Sequence, residues 1–363
     1  MVELCINHQG YKHNSRLQYM ENIPYSGMGM KQRVSELEEK MKLIKLKEDV
    51  RFYYILVGDQ LFDFNMTIPN DLRLSMPMES NEYLPIISEM LARKDLVSRH
   101  QERLLRSKPE DFRPFRRPFH PEEIDIPVRP VSFRDFSTFE DHVHNARRNK
   151  GLEKAKERYE FPAFYFSNIS CITGSNESIR KPSDTGELDY ELEAAVIIGK
   201  PGRNIPVSQA HSHIAGFTIL NDWSARDIQR SEMKAGLGPV KGKDFATSIG
   251  PYLVTPDELE PYAAAVEGRG KQYSLTMTAS VNGTEISRGN LANMHWTFAE
   301  LVAHASRNTY LVPGDIIGSG VAGSGGIVEF PERTYPWLLP GDIVRLEIDK
   351  LGTLETRVEG SDE

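Results

Sequence analysis

Glu191 and Glu193 stand one residue apart in Leu188-Asp189-Tyr190-Glu191-Leu192-Glu193, and the chain runs from them straight into Ala194-Ala195-Val196-Ile197-Ile198. The apolar run reads as a strand, and the period of two along a strand points both carboxylates to one face. Leu188, Leu192, Ala194 and Val196 do not alternate cleanly with polar residues, so the pattern is not that of a sheet with one solvated face. Two acids carried inward on one face ask for a cation. Further along, Asn221-Asp222-Trp223-Ser224-Ala225-Arg226-Asp227-Ile228-Gln229 supplies a third carboxylate, Asp222. If the segment after it is helical, Arg226 at i+4 and Gln229 at i+7 share its face. Oxygen-only ligands favour a hard divalent ion, Mg²⁺, Ca²⁺ or Mn²⁺, over zinc, which usually recruits His or Cys.

At 363 residues the chain exceeds the size at which single cores usually stop growing, which leads us to expect one large or two unequal domains. A formal charge of -8 carries no electrostatic footprint for nucleic acid. Cys5 and Cys171 alone offer neither a disulfide framework nor a cysteine metal site, as expected in a reducing compartment. No apolar run approaches the roughly 20 residues needed to span a bilayer, and Met1-Val2-Glu3-Leu4 does not read as a signal peptide. These features predict a cytoplasmic protein with neither a membrane nor a nucleic acid as partner.

Composition shifts near residue 125, which divides an N-terminal domain (residues 1–124, including a linker) from a catalytic domain (residues 125–363). Val34, Leu37, Met41 and Ile44 recur at helical spacing over residues 31–49. Residues 51–64 read as a hairpin around Gly58-Asp59, and residues 84–106 as a helix. Four prolines within residues 108–121 predict an irregular linker. Beyond it the chain is strand-rich. Leu275–Val281 alternates, Asn282-Gly283 signals a type I′ turn, and Thr284–Ser287 returns. Further strands are expected at 312–317, 326–330 and 342–348, with a helix at 296–307. Strands without regular βα alternation predict a mixed, β-rich α+β fold and not a doubly wound sheet.

Ser137-x-x-Glu140 has the form of a capping box, so a helix should start there, with Phe139, Val143 and Ala146 turned to the core. Asp135 then lies just outside its N-terminus and His142 about one turn in, close enough for a ligand and a base to converge. His144 faces elsewhere. Gly318-x-Gly320-x-x-Gly323 matches the dinucleotide fingerprint only in form: Gly325-Gly326 interrupts where a helix should open, and Pro331 soon follows. No Gly-x-Ser-x-Gly frame is present. What remains is a backbone-exposing loop whose N–H groups are suited to an anion, with Glu329 at its far end.

Taken together these segments resemble the fumarylacetoacetate hydrolase family over about residues 125–352. The most specific pieces are Asp189–Glu193, Asn221–Gln229 and Leu237-Gly238-Pro239-Val240-Lys241-Gly242-Lys243. The resemblance implies a β-roll catalytic domain behind a smaller N-terminal domain, in a homodimer. It implies that Asp135, Glu191, Glu193 and Asp222 hold a divalent metal, with Mg²⁺ first and Ca²⁺ or Mn²⁺ as alternatives. His142 matches the family's water-activating histidine and Glu329 its carboxylate partner. Arg226, Gln229 and Lys243 match its oxyanion and leaving-group donors, and Tyr165 and Ser319 fall where it contacts substrate.

The implied reaction is hydrolysis of a C–C bond in a β-diketo acid, fumarylacetoacetate or an acylpyruvate. The metal would fix and polarise the substrate, His142 would activate water, and Lys243, Arg226 and Gln229 would stabilise developing charge. The alternative is a metal-dependent 2-oxo acid lyase, a decarboxylase or hydratase/dehydratase, and the third reading is a non-catalytic metal-binding scaffold. Ser137 and Met233 stand where fumarylacetoacetate hydrolase itself has tyrosines, and Gly151 where it has an arginine, so the distal end of the substrate is expected to differ.

Overall fold

The strand Leu192–Ile198 is buried along its whole length. In the computed structural model, which describes residues 42–57, 60–64, 84–85, 116–141, 145, 159–331 and 334–361, it lies inside an 11-stranded sheet. Its antiparallel neighbours are Ile214–Asn221 on one side and Ile316–Gly318 on the other. From one edge the strands run 116–118, 60–63, 49–57, 42–46, 247–254, 214–221, 192–198, 316–318, 133–136 and 164–166, and 172–173 adds parallel to 247–248. Leu192, Ala194, Val196 and Ile198 enter one core, while Ala195 and Ile197 enter a second with Leu43, Tyr53, Ile55 and Phe133. Both faces are covered, which is why this segment is continuously apolar. Each Val or Ile so buried contributes roughly 1.5–3 kcal/mol, and replacing Val196 by Ala would leave a hole between the two sheets.

A 5-stranded sheet, ordered 284–290, 276–281, 343–348, 352–359 and 177–180, packs across the first core. Met277, Ala279, Val344, Leu346, Ile348 and Leu354 point inward from it in alternation. Its hairpin turns as expected: Asn282 and Gly283 take φ of 50° and 80°, the pair of positive values a type I′ turn requires. The helix predicted at 296–307 spans Phe298–Ala305, capped by Thr297 and Glu300 in a reciprocal box. The mixed, β-rich α+β expectation is met.

Several local expectations are corrected. Ile44 is not helical but lies in the strand Lys42–Leu46, where pairing with Asp49–Val57 and Thr247–Val254 overrides the local period; residues 31–41 lie outside the described residues. The hairpin at 51–64 forms between Asp49–Val57 and Gln60–Asp63. Most of the expected helix 84–106 lies outside the described residues. Arg116–Pro118, placed in an irregular linker, pairs with Gln60–Phe62 as the outermost strand, the position where a proline's missing N–H is tolerated. These strands join the main sheet directly, so hydrogen bonding runs unbroken from the chain before residue 125 into the chain after it. Residues 327–329 form a 3-10 turn, not a strand. The helix expected from Ser137 begins later, at Glu140, because Phe139 bridges Met294 and the Thr138 hydroxyl is donated to the Ser319 carbonyl.

Candidate metal centre

Sheet register assembles the acids. Asp135 is the third residue of the strand Phe133–Phe136, paired with Gly318 on one side and Tyr165 on the other. Leu192 pairs with Asn221 as the last pair of their two strands, and Glu191 and Asp222 are the residues next beyond that pair. Carboxylate oxygens of Asp135, Glu191 and Asp222 lie within 4.8 Å of one another, and all three residues are buried. Glu191 is not itself in the strand, since pairing breaks between Asp189 and Leu192; its N–H is held by the Asn221 side chain at 2.9 Å. Nor is Asp222 on the helix, which begins at Arg226, so the shared helical face expected from i+4 and i+7 spacing does not exist. Trp223, fully buried and bonded to Ser248 Oγ at 2.9 Å, fixes the loop that carries Asp222.

The residues fit a divalent cation. Asp135 Oδ1, Glu193 Oε1 and Asp222 Oδ1 are buried and have no hydrogen-bond partner among the described residues. Such orphaned charged oxygens are costly without an ion or proton to meet them. Five buried carboxyls (Asp135, Asp189, Glu191, Glu193 and Asp222) face two buried cations, Arg226 and Lys243, a deficit of three positive charges. Burial, with Asp222 and Glu191 adding repulsion, pushes the Asp135 carboxyl well above its usual range. Glu193 is raised by burial and then by Asp135. For Asp222 burial again dominates, opposed by Lys243. A +2 ion would reverse each of these shifts. Gly318 leaves the space: a Cβ there would sit 2.5 Å from Asp135 Oδ1 and 3.2 Å from Glu193 Oε2.

Lys243 reaches the centre from the turn after the helix, with Nζ 2.5 Å from Glu191 Oε2 and 2.7 Å from Asp222 Oδ2. Burial works against its charge, yet Asp222 and Glu191 hold its pKa above the ordinary value. Arg226, the first residue of the helix Arg226–Ala235, turns its side chain back: Nη1 lies 2.8 Å from Glu191 Oε1 and donates to Gln229 Oε1 at 3.1 Å. Tyr165 donates its hydroxyl to Asp222 Oδ2. Burial, then the Asp222 charge, raises that phenol well above its normal pKa, so it remains a donor.

Glu193 is not part of the three-oxygen group but adjoins it, and accepts the Gly320 N–H at 3.0 Å. Ser319 is completely buried; its hydroxyl accepts from Ala194 N and donates to the Gly320 carbonyl, so both roles are occupied by backbone. Glu329 is buried and accepts the Ser324 N–H at 2.7 Å and the Asn145 amide at 3.4 Å. His142 lies outside the described residues. The glycine-rich loop was expected to offer N–H groups to a foreign anion. Instead Gly320, Ser324, Ile327 and Val328 donate to Glu193, Glu329 and Asp189, the protein's own carboxylates.

Three contributing residues escaped the sequence reading. Asp189 anchors Arg226, Asn221 holds Glu191, and Glu232 accepts three N–H groups, from Val240, Lys241 and Gly242, at 3.0, 2.6 and 3.0 Å in the turn leading to Lys243. A signal existed for Asp189, which continues the period-two series of Glu191 and Glu193. Glu232 carried none, because its partners are backbone groups.

Residues 132–359 match the family model described as fumarylacetoacetate (FAA) hydrolase, C-terminal. The chain belongs to that family. It is 32% identical over 197 residues to 2,4-didehydro-3-deoxy-L-rhamnonate hydrolase of Sphingomonas sp. (strain SKA58), covering 54% of this chain and 65% of that protein. Over 199 residues it is 34% identical to a mitochondrial oxaloacetate tautomerase of Xenopus laevis, covering 54% of this chain and 58% of the relative. Thus the chain spans less than two thirds of the length of either. A solved structure of fumarylpyruvate hydrolase from Pseudomonas aeruginosa, in complex with Mn²⁺ and pyruvate, superposes with a TM-score of 0.52 at 25% identity, over 66% of this chain and 93% of that one. Among the described residues no helix is long and apolar enough to cross a membrane.

Proposed function

Proceeding from that family membership, we propose that the protein is a divalent-metal-dependent hydrolase that cleaves a C–C bond in a β-diketo acid, fumarylacetoacetate or an acylpyruvate. The observation that carries this reading is the convergence of Asp135, Glu191 and Asp222 within 4.8 Å, with carboxylate oxygens left unpartnered beside Lys243 and Arg226. Asp135, Glu191 and Asp222, with Glu193 beside them, hold the metal, Mg²⁺ by preference and Mn²⁺ or Ca²⁺ otherwise. Bound there, a divalent cation supplies Lewis-acid polarisation of the substrate's keto oxygens.

The chain's own groups do the rest. His142 takes a proton from water as the oxygen attacks the carbonyl carbon, and Glu329 orients that imidazole. The C–C bond breaks, its electron pair leaves on the departing fragment as an enolate, and the proton held by His142 returns to that fragment. Lys243 and Arg226, held beside the acids by Glu191, supply the positive charge that stabilises the developing oxyanion, with the Gln229 amide N–H₂ as a further donor, while Tyr165 gives its one proton to Asp222 and holds that carboxylate in place. Burial of every one of the acids shields these charges from bulk solvent.

The proposal extends to a cytoplasmic homodimer in which residues 125–363 carry the chemistry and the preceding chain braces the sheet. Met233, Leu237 and Val240, exposed apolar residues around the end of the Arg226–Ala235 helix, support a covered surface in the assembly.

The test is loss of enol absorbance from fumarylacetoacetate and a panel of acylpyruvates, with and without Mg²⁺ or Mn²⁺, in wild type, Glu191→Ala and His142→Ala. Metal-dependent cleavage lost in both variants is the expected result. The Xenopus relative's name favours a second reading, enol–keto interconversion of a 2-oxo acid. Oxaloacetate tautomerisation or decarboxylation that survives His142→Ala, with no diketone cleaved, would replace the hydrolase by that reading or by a 2-oxo acid lyase.

A further inference from the structure

Asp189 is fully buried and touches two separate elements of the site. Its Oδ2 accepts from Arg226 Nε at 2.8 Å and lies 2.8 Å from Nη2. On the other side, Oδ1 accepts the Ile327 N–H at 2.8 Å and Oδ2 the Val328 N–H at 3.2 Å. Those two N–H groups open the turn Ile327–Glu329. Gly326 lets the backbone pass close beside this contact: a Cβ there would meet Asp189 Oδ2 at 3.2 Å, Arg226 Nη2 at 3.3 Å and the Tyr190 carbonyl at 3.0 Å.

We infer that Asp189 is a positioning residue that locks the Arg226 guanidinium and the Glu329 turn to each other, so that the charge-stabilising group and the carboxylate that orients the base are set by one side chain. The inference rests on the hydrolase reading for what Arg226 and Glu329 do, but not for the geometry. Only a carboxylate serves every one of these groups, because all of them are donors and they are shared between both oxygens. An asparagine amide has a single acceptor oxygen, and whichever way it is turned its NH₂ opposes either the guanidinium or the Ile327 N–H. Both groups served act as charge develops, so loosening them lowers kcat and leaves substrate binding nearly unchanged.

The experiment measures kcat and KM for Asp189→Asn and Gly326→Ala in the metal-loaded protein, normalised to bound Mn²⁺ counted by electron paramagnetic resonance. Gly326→Ala crowds the same contact without changing any ionisable group, and it alone decides the kinetic test if Asp189→Asn does not fold. We expect kcat per bound Mn²⁺ to fall about tenfold or more with KM within about threefold, and Asp189→Asn to cost under about threefold when added to Arg226→Lys with Glu329→Gln. Unchanged kcat per bound Mn²⁺, or an equal loss in both backgrounds, would overturn the inference. Should the wild type cleave no diketone, the hydrolase reading fails by itself. The crystal structure of Asp189→Asn then decides the positioning role: displacement of the Arg226 guanidinium and of the Ile327–Glu329 turn supports it, and both unmoved overturns it.

Discussion

Gly318 lies beside Asp135 in the parallel pairing of their strands, and the missing side chain of the one is the space occupied by the carboxylate of the other. A Cβ 2.5 Å from Asp135 Oδ1 has no room, and Glu193 Oε2 at 3.2 Å crowds it further. Gly318→Ala therefore turns Asp135 away from Glu191 and Asp222. We expect Mn²⁺ affinity to drop on the order of 10–100-fold, with both sheets intact by circular dichroism. Isothermal titration with Mn²⁺ checks it, and unchanged affinity would show that Asp135 does not hold the ion.

Lys243 is expected to separate binding from chemistry. Its Nζ lies between Glu191 and Asp222, so Lys243→Met removes a positive charge that competes with a metal for the same oxygens. Mn²⁺ binding should hold or tighten, whereas kcat for diketone cleavage should fall about 10²–10³-fold. Parallel loss of both would mean that the lysine organises the acids instead of the substrate.

Glu232 acts on Lys243 at a distance. Its carboxylate gathers the Val240, Lys241 and Gly242 N–H groups; partial burial pushes its pKa up, yet those hydrogen bonds together hold it below the ordinary value. Glu232→Ala leaves three donors to water and loosens the turn that ends in Lys243. Global stability should change by about 1 kcal/mol or less, since the site is partly solvated, while kcat falls about tenfold. Urea unfolding and steady-state kinetics on one preparation separate the two effects.

The pH dependence of stability carries the mark of Lys45. Burial, opposed by Asp125, lowers its pKa from 10.5 to about 8. Between those values the unfolded chain binds the proton that the folded chain has released, so stability rises with pH across that window. Below pH 8 both states are protonated and the cost of the buried ammonium is fully present, up to about 3 kcal/mol for a shift of this size. Lys45→Met should be more stabilising at pH 7.5 than at pH 10.5, and the gap between variant and wild type in urea midpoints should shrink steadily over that range. A constant gap would mean that Lys45 titrates normally.

Much of the site was legible in the sequence, because strand periodicity is a local rule. Glu191 and Glu193 opening into Ala194–Ile198 announced buried acids, and Asn282-Gly283 announced its hairpin, since each signal depends on residues a few places apart. Asp222 was legible as an acid but not as a loop residue, because it follows directly on Asn221, whose strand pairs with one about thirty residues earlier, and the helix begins only at Arg226. The 42–46 strand and the Arg116–Pro118 edge were misread for the same reason: helical spacing and prolines are local, whereas an open sheet edge that needs hydrogen-bond partners is not.

Composition and pattern by themselves determined that this chain makes a β-rich fold with inward carboxylates, because burial of apolar strands and the cost of unpaired charge are properties of residue types. Only the tertiary structure decided which acids meet, that the glycine loop serves the protein's own carboxylates, and that Asp189 joins Arg226 to the Glu329 turn. Those relations depend on register between segments up to 183 residues apart, as Asp135 and Gly318 are, where a shift of one residue would turn every side chain to the opposite face.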